Sequence, residues 1–279
     1  TQGINITMDL IFFDLDGTLL NSASEISPFT KATLSLLGKN NIAYTIATGR
    51  TMLSAKNILK GHVFGLPQIY NNGVTIWDPV EQKLTLENLL SKTEISKVMS
   101  VADAHGITPF IHAIDNHQHC IYHAAPLHDV EKELISKHYL DIQAKIFPIE
   151  ELSPNSQVTN ISMIGSADAV AVMWREFNTH SNLVAYSGPA IEGQLFSWID
   201  VHHRLANKGV AVSTLRNQLG ASNVICFGDS DNDLSMFHLA DESYAPENAK
   251  TTIKELASDV IGHNHADGVA HFLRERFSL

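Results

Sequence analysis

The chain has 279 residues, 44% of them apolar and 18% charged, which suits a globular protein with a substantial core, arranged as one large domain or two of ordinary size. Thirty acidic residues against nineteen basic ones leave a formal net charge of −11, which speaks against a nucleic-acid binder, whose footprint would be a basic face. No apolar run reaches bilayer length, no signal-peptide pattern opens the chain, and Cys120 and Cys226 lie too far apart for a disulfide framework or metal spacing, so a reducing, cytoplasmic setting is expected.

Met8 to Phe13 is an apolar run with one acidic interruption, long enough for a buried strand and too short for a comfortable helix. It stops at Asp14-Leu15-Asp16-Gly17-Thr18, two carboxylates at i and i+2 followed by a turn pair. That places both acids at the carboxyl edge of a sheet, where open α/β folds bind ligands. Ser27-Pro28 reads as an N-cap and first helical position. Phe29, Ala32, Leu36 and Leu37 recur at helical spacing, with Gly38 as the expected stop. Ile42 to Ala47 is a second strand, ending in Thr48-Gly49-Arg50, and a helix is expected from there to Lys60. Gln68-Ile69-Tyr70 then leads into Asn71-Asn72-Gly73. Strands alternating with helices predict βαβ units and a parallel sheet.

The rhythm changes after Val74. Val74 to Asp78 and Lys83 to Leu86 read as paired strands across a turn at Asp78-Pro79. Ser91 and Glu94 form a capping box, followed by an apolar helix face at Ile95, Val98, Met99 and Ala102. Short strands at Pro109 to Ile114 and His119 to His123, a helix near Leu127 to Tyr139 and a strand at Asn160 to Ile164 come next. Val170, Met173, Trp174 and Phe177 mark another amphipathic helix, and Leu183 to Tyr186 and Gln194 to Val201 read as strands. Hairpins with scattered helices imply a largely antiparallel α+β module.

From Asn207 the first rhythm resumes, with a helix from about Lys208 to Leu219, Gly220 beyond it, and a buried strand Val224 to Phe227 ending in Gly228-Asp229-Ser230-Asp231-Asn232-Asp233. Helix and strand pairs continue through Asn248 to Ala257, Asp259 to Ile261 and Asp267 to Phe277. The predicted fold class is therefore α/β. A doubly wound parallel-sheet core takes residues 1–79 and 203–279, and an α+β cap, residues 80–202, is inserted into it.

Asp14 with Asp16, Thr48, Lys208, and Asp229 with Asp233 all stand at strand ends or helix starts, and in a doubly wound sheet they meet at one edge. Carboxylates brought that close cannot all stay ionised without compensation. A hard cation with oxygen ligands, most simply Mg²⁺, supplies it. A carboxylate near such a cation can attack phosphorus. The second acid can protonate a leaving alkoxide and then activate water. A threonine hydroxyl and a lysine ammonium can hold phosphoryl oxygens as charge builds on them.

These segments resemble the four motifs of the haloacid dehalogenase-like hydrolases: Asp14-Leu15-Asp16-Gly17-Thr18, Ala47-Thr48-Gly49-Arg50, Lys208-Gly209, and Gly228-Asp229-Ser230-Asp231-Asn232-Asp233. The insertion between the second and third is similar to the α+β cap of the Cof-type phosphatases, as are Asn71-Asn72-Gly73 and Asp267-Gly268-Val269-Ala270. The resemblance implies a Mg²⁺-dependent phosphomonoesterase working through an aspartyl-phosphate. Asp14 would be nucleophile and metal ligand, and Asp16 the general acid/base, lending its backbone carbonyl to the metal. Thr48, Gly49 and Lys208 would hold phosphate, and Asp229 would complete the metal site. Asp233 would touch the metal or orient Lys208, and Asn232 would be a further phosphate or metal-water contact. One departure is Pro246-Glu247-Asn248-Ala249, where Cof-type chains usually carry Gly-Asn-Ala.

The expected function is hydrolysis of a small phosphomonoester, a sugar phosphate or related metabolite, with no nucleic acid, membrane or obligate protein partner. A phosphomutase using the same intermediate and a non-catalytic phosphometabolite sensor are the alternatives, the latter disfavoured by the presence of both Asp14 and Asp16. Arg50 reads equally as a surface residue pairing with an acid. His112, His117, His119, His123 and His128 lack metal-site company and read as a solvated or substrate-facing group.

Overall fold

The computed structural model describes residues 8–140 and 142–279. They gather into two compact units, one formed by the chain up to Thr85 and from Asn207 onward, the other by Leu86–Ala206. The first unit begins with β1 (Asp9–Phe13), α1 (Pro28–Lys39), β2 (Ala43–Ile46), α2 (Met52–Ala55), β3 (Gln68–Tyr70), β4 (Thr75–Asp78) and β5 (Lys83–Leu86). The second holds α3 (Lys92–Ala104), β6 (Phe110–Asp115), β7 (Gln118–His123), α4 (Asp129–Leu134), β8 (Lys145–Pro148), β9 (Val158–Ser166), α5 (Ala167–Thr179), β10 (Leu183–Pro189) and β11 (Phe196–His203). The first unit then resumes with α6 (Lys208–Leu219), β12 (Asn223–Phe227), α7 (Leu234–Leu239), β13 (Glu242–Pro246), α8 (Thr251–Leu256), β14 (Asp259–Ile261) and α9 (Gly268–Phe277). Among the described residues, no helix is long and apolar enough to cross a membrane.

In the first unit β1 sits inside a parallel sheet of order β14-β13-β12-β1-β2. A single parallel bridge, Ala47 with Ile69, extends it toward β3. Successive β1 side chains serve opposite faces. Leu10 and Phe12 pack with Val212 and Leu215 of α6, whereas Ile11 and Phe13 pack with Leu34 and Leu37 of α1 and Leu273 of α9. Covered on both sides, the strand reads as a continuous apolar run from Leu10 to Phe13, as parallel strands do. Truncating a fully buried residue such as Phe13 to alanine would cost roughly 3–5 kcal/mol. The topology matters for function because Phe13 pairs with both Ile46 and Phe227, so β1, β2 and β12 end side by side.

Local signals mostly act where the sequence places them. Ser27 caps α1 through the N–H of Thr30, Ser91 and Glu94 close the box on α3, and Gly220 ends α6 in the left-handed region. Two expectations fail. Gly38 lies inside α1, and the chain reverses at Asn41, whose φ is +57°. The helix expected to reach Lys60 stops at Ala55, and looser turns carry the chain on to Gly61. Among these residues only Ala55 is fully buried, so little packing supports further turns.

The second unit is built on a sheet of order β10-β11-β9-β6-β7-β8, antiparallel except for the β7–β8 pair. One face presents Ile111, Ile161, Met163 and Ile199 to Val98 of α3 and to Met173 and Phe177 of α5. Trp174 turns outward instead of joining that stripe. The other face carries Phe110 and Ile121 against Tyr139. β8 escaped the sequence reading because Lys-Ile-Phe-Pro is too short and mixed to show a period.

Candidate active site

β1 delivers Asp14 to the sheet edge, where its N–H donates to the Phe227 carbonyl of β12 (3.0 Å). The chain then turns tightly, with Leu19 N–H returning to the Asp14 carbonyl (3.2 Å) and Gly17 at φ +74°. This turn needs glycine twice over. A Cβ there would adopt a disfavoured conformation and stand 2.5 Å from Asp229 Oδ2. Thr18 Oγ1 donates to Asp229 Oδ1 (3.0 Å) and Ser230 Oγ to Asp229 Oδ2 (3.0 Å). The two acidic loops, more than two hundred residues apart in sequence, are thereby locked together.

Lys208 opens α6 behind the N-cap Asn207, and its side chain is 0% exposed. Its Nζ donates to Asp14 Oδ1 (2.6 Å) and to Asp233 Oδ1 (2.7 Å). Asp233 Oδ2 in turn accepts from the backbone N–H groups of Asp229 (2.8 Å) and Ser230 (3.0 Å). Gly209 lets α6 approach α7 closely, since a Cβ would stand 2.5 Å from the Ser235 carbonyl oxygen. That contact fixes the helix start, and with it the lysine.

Asp14, Asp229 and Asp233 each bring a carboxylate oxygen within 4.8 Å of the other two. Three carboxylates and one ammonium leave two uncompensated negative charges in a buried place. Asp14 is held well above the usual carboxylate range by burial and by repulsion from Asp233 and Asp229, against the pull of Lys208. Asp229 is raised by burial and by Asp233. Burial disfavours the Lys208 ammonium, but Asp14 and Asp233 overcome it and hold it above the ordinary lysine value. An all-oxygen, over-negative donor set of this kind fits a hard divalent cation such as Mg²⁺.

The other predicted residues occupy the same edge. Thr48, buried, follows β2, and its Oγ1 accepts from the Arg50 N–H (3.0 Å). A Cβ on Gly49 would lie 3.2 Å from both Asn232 Nδ2 and Asn72 Oδ1, which bond each other at 3.0 Å. Asp16 stands apart from the carboxylate cluster. Its side chain is 52% exposed and takes a two-pronged ion pair from Arg50, Nε to Oδ2 at 2.6 Å and Nη2 to Oδ1 at 2.7 Å.

Three supporting residues were not legible as such in the sequence. Arg50 anchors the Asp16 carboxylate. Asn72 ties the turn after β3 to Asn232, while Gly73 lies against the Asn207 carbonyl. Asn248 donates to the Gly17 carbonyl (2.7 Å) and accepts from the Asn264 N–H (3.1 Å), bracing the turn beside Asp16. Motif spacing pointed to the second and third positions without giving a role. For Arg50 the sequence offered pairing with an acid as one of two equal readings, and the acid proves to be Asp16.

Buried ionic groups converging on the carboxyl edge of a doubly wound sheet suit one broad class of protein, the α/β hydrolases of phosphate esters. Within that class the chain belongs to the haloacid dehalogenase-like hydrolases, whose family model matches residues 11–273, and its inserted α+β unit places it with the Cof-type phosphatases. Its enzyme class is phosphomonoesterase. It is 26% identical to the pyridoxal phosphate phosphatase YbhA of Escherichia coli, covering 96% of this chain and 98% of that one. It is 24% identical to the 5-amino-6-(5-phospho-D-ribitylamino)uracil phosphatase YitU of Bacillus subtilis, covering 97% and 98%. Its fold is similar to that of a haloacid dehalogenase-like hydrolase from B. subtilis, with a TM-score of 0.77 at 24% identity over 96% of this chain and 99% of that one.

Proposed function

We propose that the protein hydrolyses a small phosphomonoester, a sugar phosphate or related metabolite, through a phosphorylated Asp14. The observation that carries this reading is Lys208 bridging Asp14 and Asp233 beside Asp229. Lys208 holds one Asp14 oxygen and keeps the carboxylate aimed. Attack by the Asp14 carboxylate forms the acyl-phosphate bond as the ester P–O bond breaks. Asp16 gives its proton to the departing alkoxide. The Asp16 carboxylate then takes a proton from the water that attacks phosphorus, which frees phosphate and restores Asp14. Thr48, the Gly49 backbone, Lys208 and Asn232 are the groups assigned to the phosphoryl oxygens.

Asp14, Asp229 and Asp233, with the Asp16 backbone carbonyl, would hold Mg²⁺, which when bound neutralises phosphoryl charge and lowers the barrier to attack. The named substrates of the two curated relatives, both small phosphate esters, support the substrate class. The two free, buried cysteines support a cytoplasmic setting.

The test is phosphate release from a panel of phosphorylated metabolites with and without Mg²⁺, for the parent chain and for Asp14→Asn. Release that depends on Mg²⁺ and disappears in Asp14→Asn is expected. Metal-dependent release that survives the substitution would refute the nucleophile assignment.

A further inference from the structure

Asn71-Asn72-Gly73 supplies no group that the proposed reaction uses, yet the turn touches three segments that do. It follows β3, whose Ile69 bridges in parallel to Ala47 just before Thr48. The turn therefore emerges beside the loop that carries Thr48 and Gly49. Its backbone is left-handed at three successive residues, with φ of +50° at Asn71, +53° at Asn72 and +99° at Gly73. Asparagine enters this region more readily than most residues, but as single residues and not in runs. Such a run persists where the surroundings over-determine it, and places of that kind concentrate at functional sites.

The surroundings do so here. The Asn71 N–H donates to the Arg50 carbonyl (2.8 Å) and the Asn72 N–H to the Thr48 carbonyl (3.1 Å). On the other side, a Cβ on Gly73 would stand 2.6 Å from the carbonyl oxygen of Asn207, the N-cap of α6 and the residue before Lys208. The turn is thus wedged between the Thr48 loop and the start of the lysine's helix. Glycine at position 72 would satisfy that backbone. The side chain does something more: Asn72 is 5% exposed, and its Oδ1 accepts from Asn232 Nδ2 at 3.0 Å.

The backbone around Asn232 is already fixed. Asp233 Oδ2 accepts from the N–H groups of Asp229 and Ser230, and Asp233 Oδ1 accepts from Lys208. The Asn232 side chain depends on the turn, because among the described residues Asn72 is its one hydrogen-bond partner. An asparagine amide carries an acceptor oxygen on one side and two N–H donors on the other, and a half-turn about the Cβ–Cγ bond exchanges them. Toward a phosphoryl oxygen the two orientations act oppositely, since an N–H attracts it and a carbonyl oxygen repels it. In the observed orientation one Nδ2 hydrogen is committed to Asn72 and the other is left over. The half-turn would set the Asn232 oxygen against the Asn72 oxygen. A Cβ on Gly49 would stand 3.2 Å from both Asn232 Nδ2 and Asn72 Oδ1, so this bond sits directly against the Thr48-Gly49 backbone.

We propose that Asn72 is a positioning residue of the phosphate site, fixing the Asn232 amide so that an N–H, and not the carbonyl oxygen, is free for a phosphoryl oxygen. The Asn232 contact rests on the phosphatase reading above, whereas its dependence on Asn72 follows from the turn.

Inorganic phosphate is titrated by calorimetry, in Mg²⁺, into the parent chain, Asn72→Gly, Asn232→Ala and the double variant, each checked for folding by thermal melting. Glycine keeps the left-handed backbone and removes only the amide. Each single substitution should weaken phosphate binding about tenfold, as suits a lost hydrogen bond to a charged group. The double variant should bind within about twofold of Asn232→Ala, because the two residues act as one. Side-chain amide NMR supplies a second check on the parent alone. One Asn232 Nδ2 hydrogen should lie downfield, as hydrogen-bonded to Asn72, and the other should shift as phosphate is added. In Asn72→Gly the downfield resonance should move upfield. A double variant weakened by the product of the two single effects, about a hundredfold, would overturn the proposal. So would Asn72→Gly binding phosphate like the parent, or an Asn232 amide that does not respond to phosphate. Binding is measured without turnover, so a chain that binds phosphate this way but releases none from the substrate panel loses the hydrolase reading and keeps this one.

Discussion

Lys208→Met removes the cation set between the buried Asp14 and Asp233 carboxylates, beside the half-buried Asp229, and keeps the length of the side chain. The lysine stands 2.6 Å from Asp14 and 2.7 Å from Asp233, with side chains 0%, 7% and 0% exposed in that order. Unit charges about 4 Å apart at an effective dielectric of about 20 interact by roughly 4 kcal/mol. Removing one partner of a buried pair costs about 3–5 kcal/mol, because the remaining charge is left uncompensated. In a unit of this size each kcal/mol moves the melting temperature by roughly 2–4 °C, so the metal-free variant should melt roughly 6–20 °C below the parent. Saturating Mg²⁺ should then raise the variant's melting temperature more than the parent's, since a dication replaces the lost charge. Phosphate release should drop by about 10²–10³-fold. Thermal unfolding in EDTA and in Mg²⁺ measures the first two effects. A variant that melts within about 2 °C of the parent in EDTA would refute the claim that Lys208 balances this site.

Gly17→Ala should lower phosphate release at least about tenfold and raise the Mg²⁺ concentration needed, because its Cβ would displace the Asp229 carboxylate from 2.5 Å away. Arg50→Gln should reduce kcat on the order of tenfold by freeing the Asp16 carboxylate. It should change stability by less than about 1 kcal/mol, since the pair is 28% and 52% exposed. The second unit should lose stability as pH falls. His112 and His119 have folded values of about 3 and about 4 against 6.5 unfolded, so the unfolded chain binds more protons from pH 6.5 down to about 4. Each histidine then contributes a loss of about 1.4 kcal/mol per pH unit over that window, checked by urea unfolding at pH 7 and pH 5. Chelation with EDTA should abolish phosphate release, and added Mg²⁺ should restore it.

The parallel core was legible because its signals are local and agree: apolar strands stop at Asp14, Thr48 and Asp229, and caps such as Ser27 and Asn207 mark where the helices begin. Asp14, Lys208, Asp229 and Asp233 could be grouped because a doubly wound sheet brings strand ends to one edge whatever the loop lengths. For Arg50 a pairing with an acid could be anticipated but not its partner, because nothing in Thr48-Gly49-Arg50 says that the guanidinium turns back across the edge to Asp16. The cap histidines were read as a solvated or substrate-facing group by their spacing along one strand. The relevant spacing runs across strands: His117 sits in the β6–β7 turn at φ +62°, while His112 and His119 meet between strands. Register between strands is set by turns and packing far from the residues concerned, so a single strand's period cannot reveal it.

The chain's acidity and the charge of its substrate are reconciled at short range. At physiological ionic strength screening acts within about 8 Å, so surface acids contribute little at the catalytic edge, and the groups within it decide what enters. Asp14, Asp229 and Asp233 outnumber Lys208, and the raised Asp14 and Asp229 show how unfavourable that excess is. A phosphomonoester dianion would add to it. A divalent cation held by these acids, as proposed above, should therefore bind with positive coupling to a phosphate ester, each relieving the repulsion that opposes the other. Linkage makes that coupling reciprocal, so the factor by which Mg²⁺ raises ester affinity equals the factor by which an unreactive ester analogue raises Mg²⁺ affinity. Lys208→Met deepens the excess of negative charge, and the coupling factor should rise in that variant even as turnover falls.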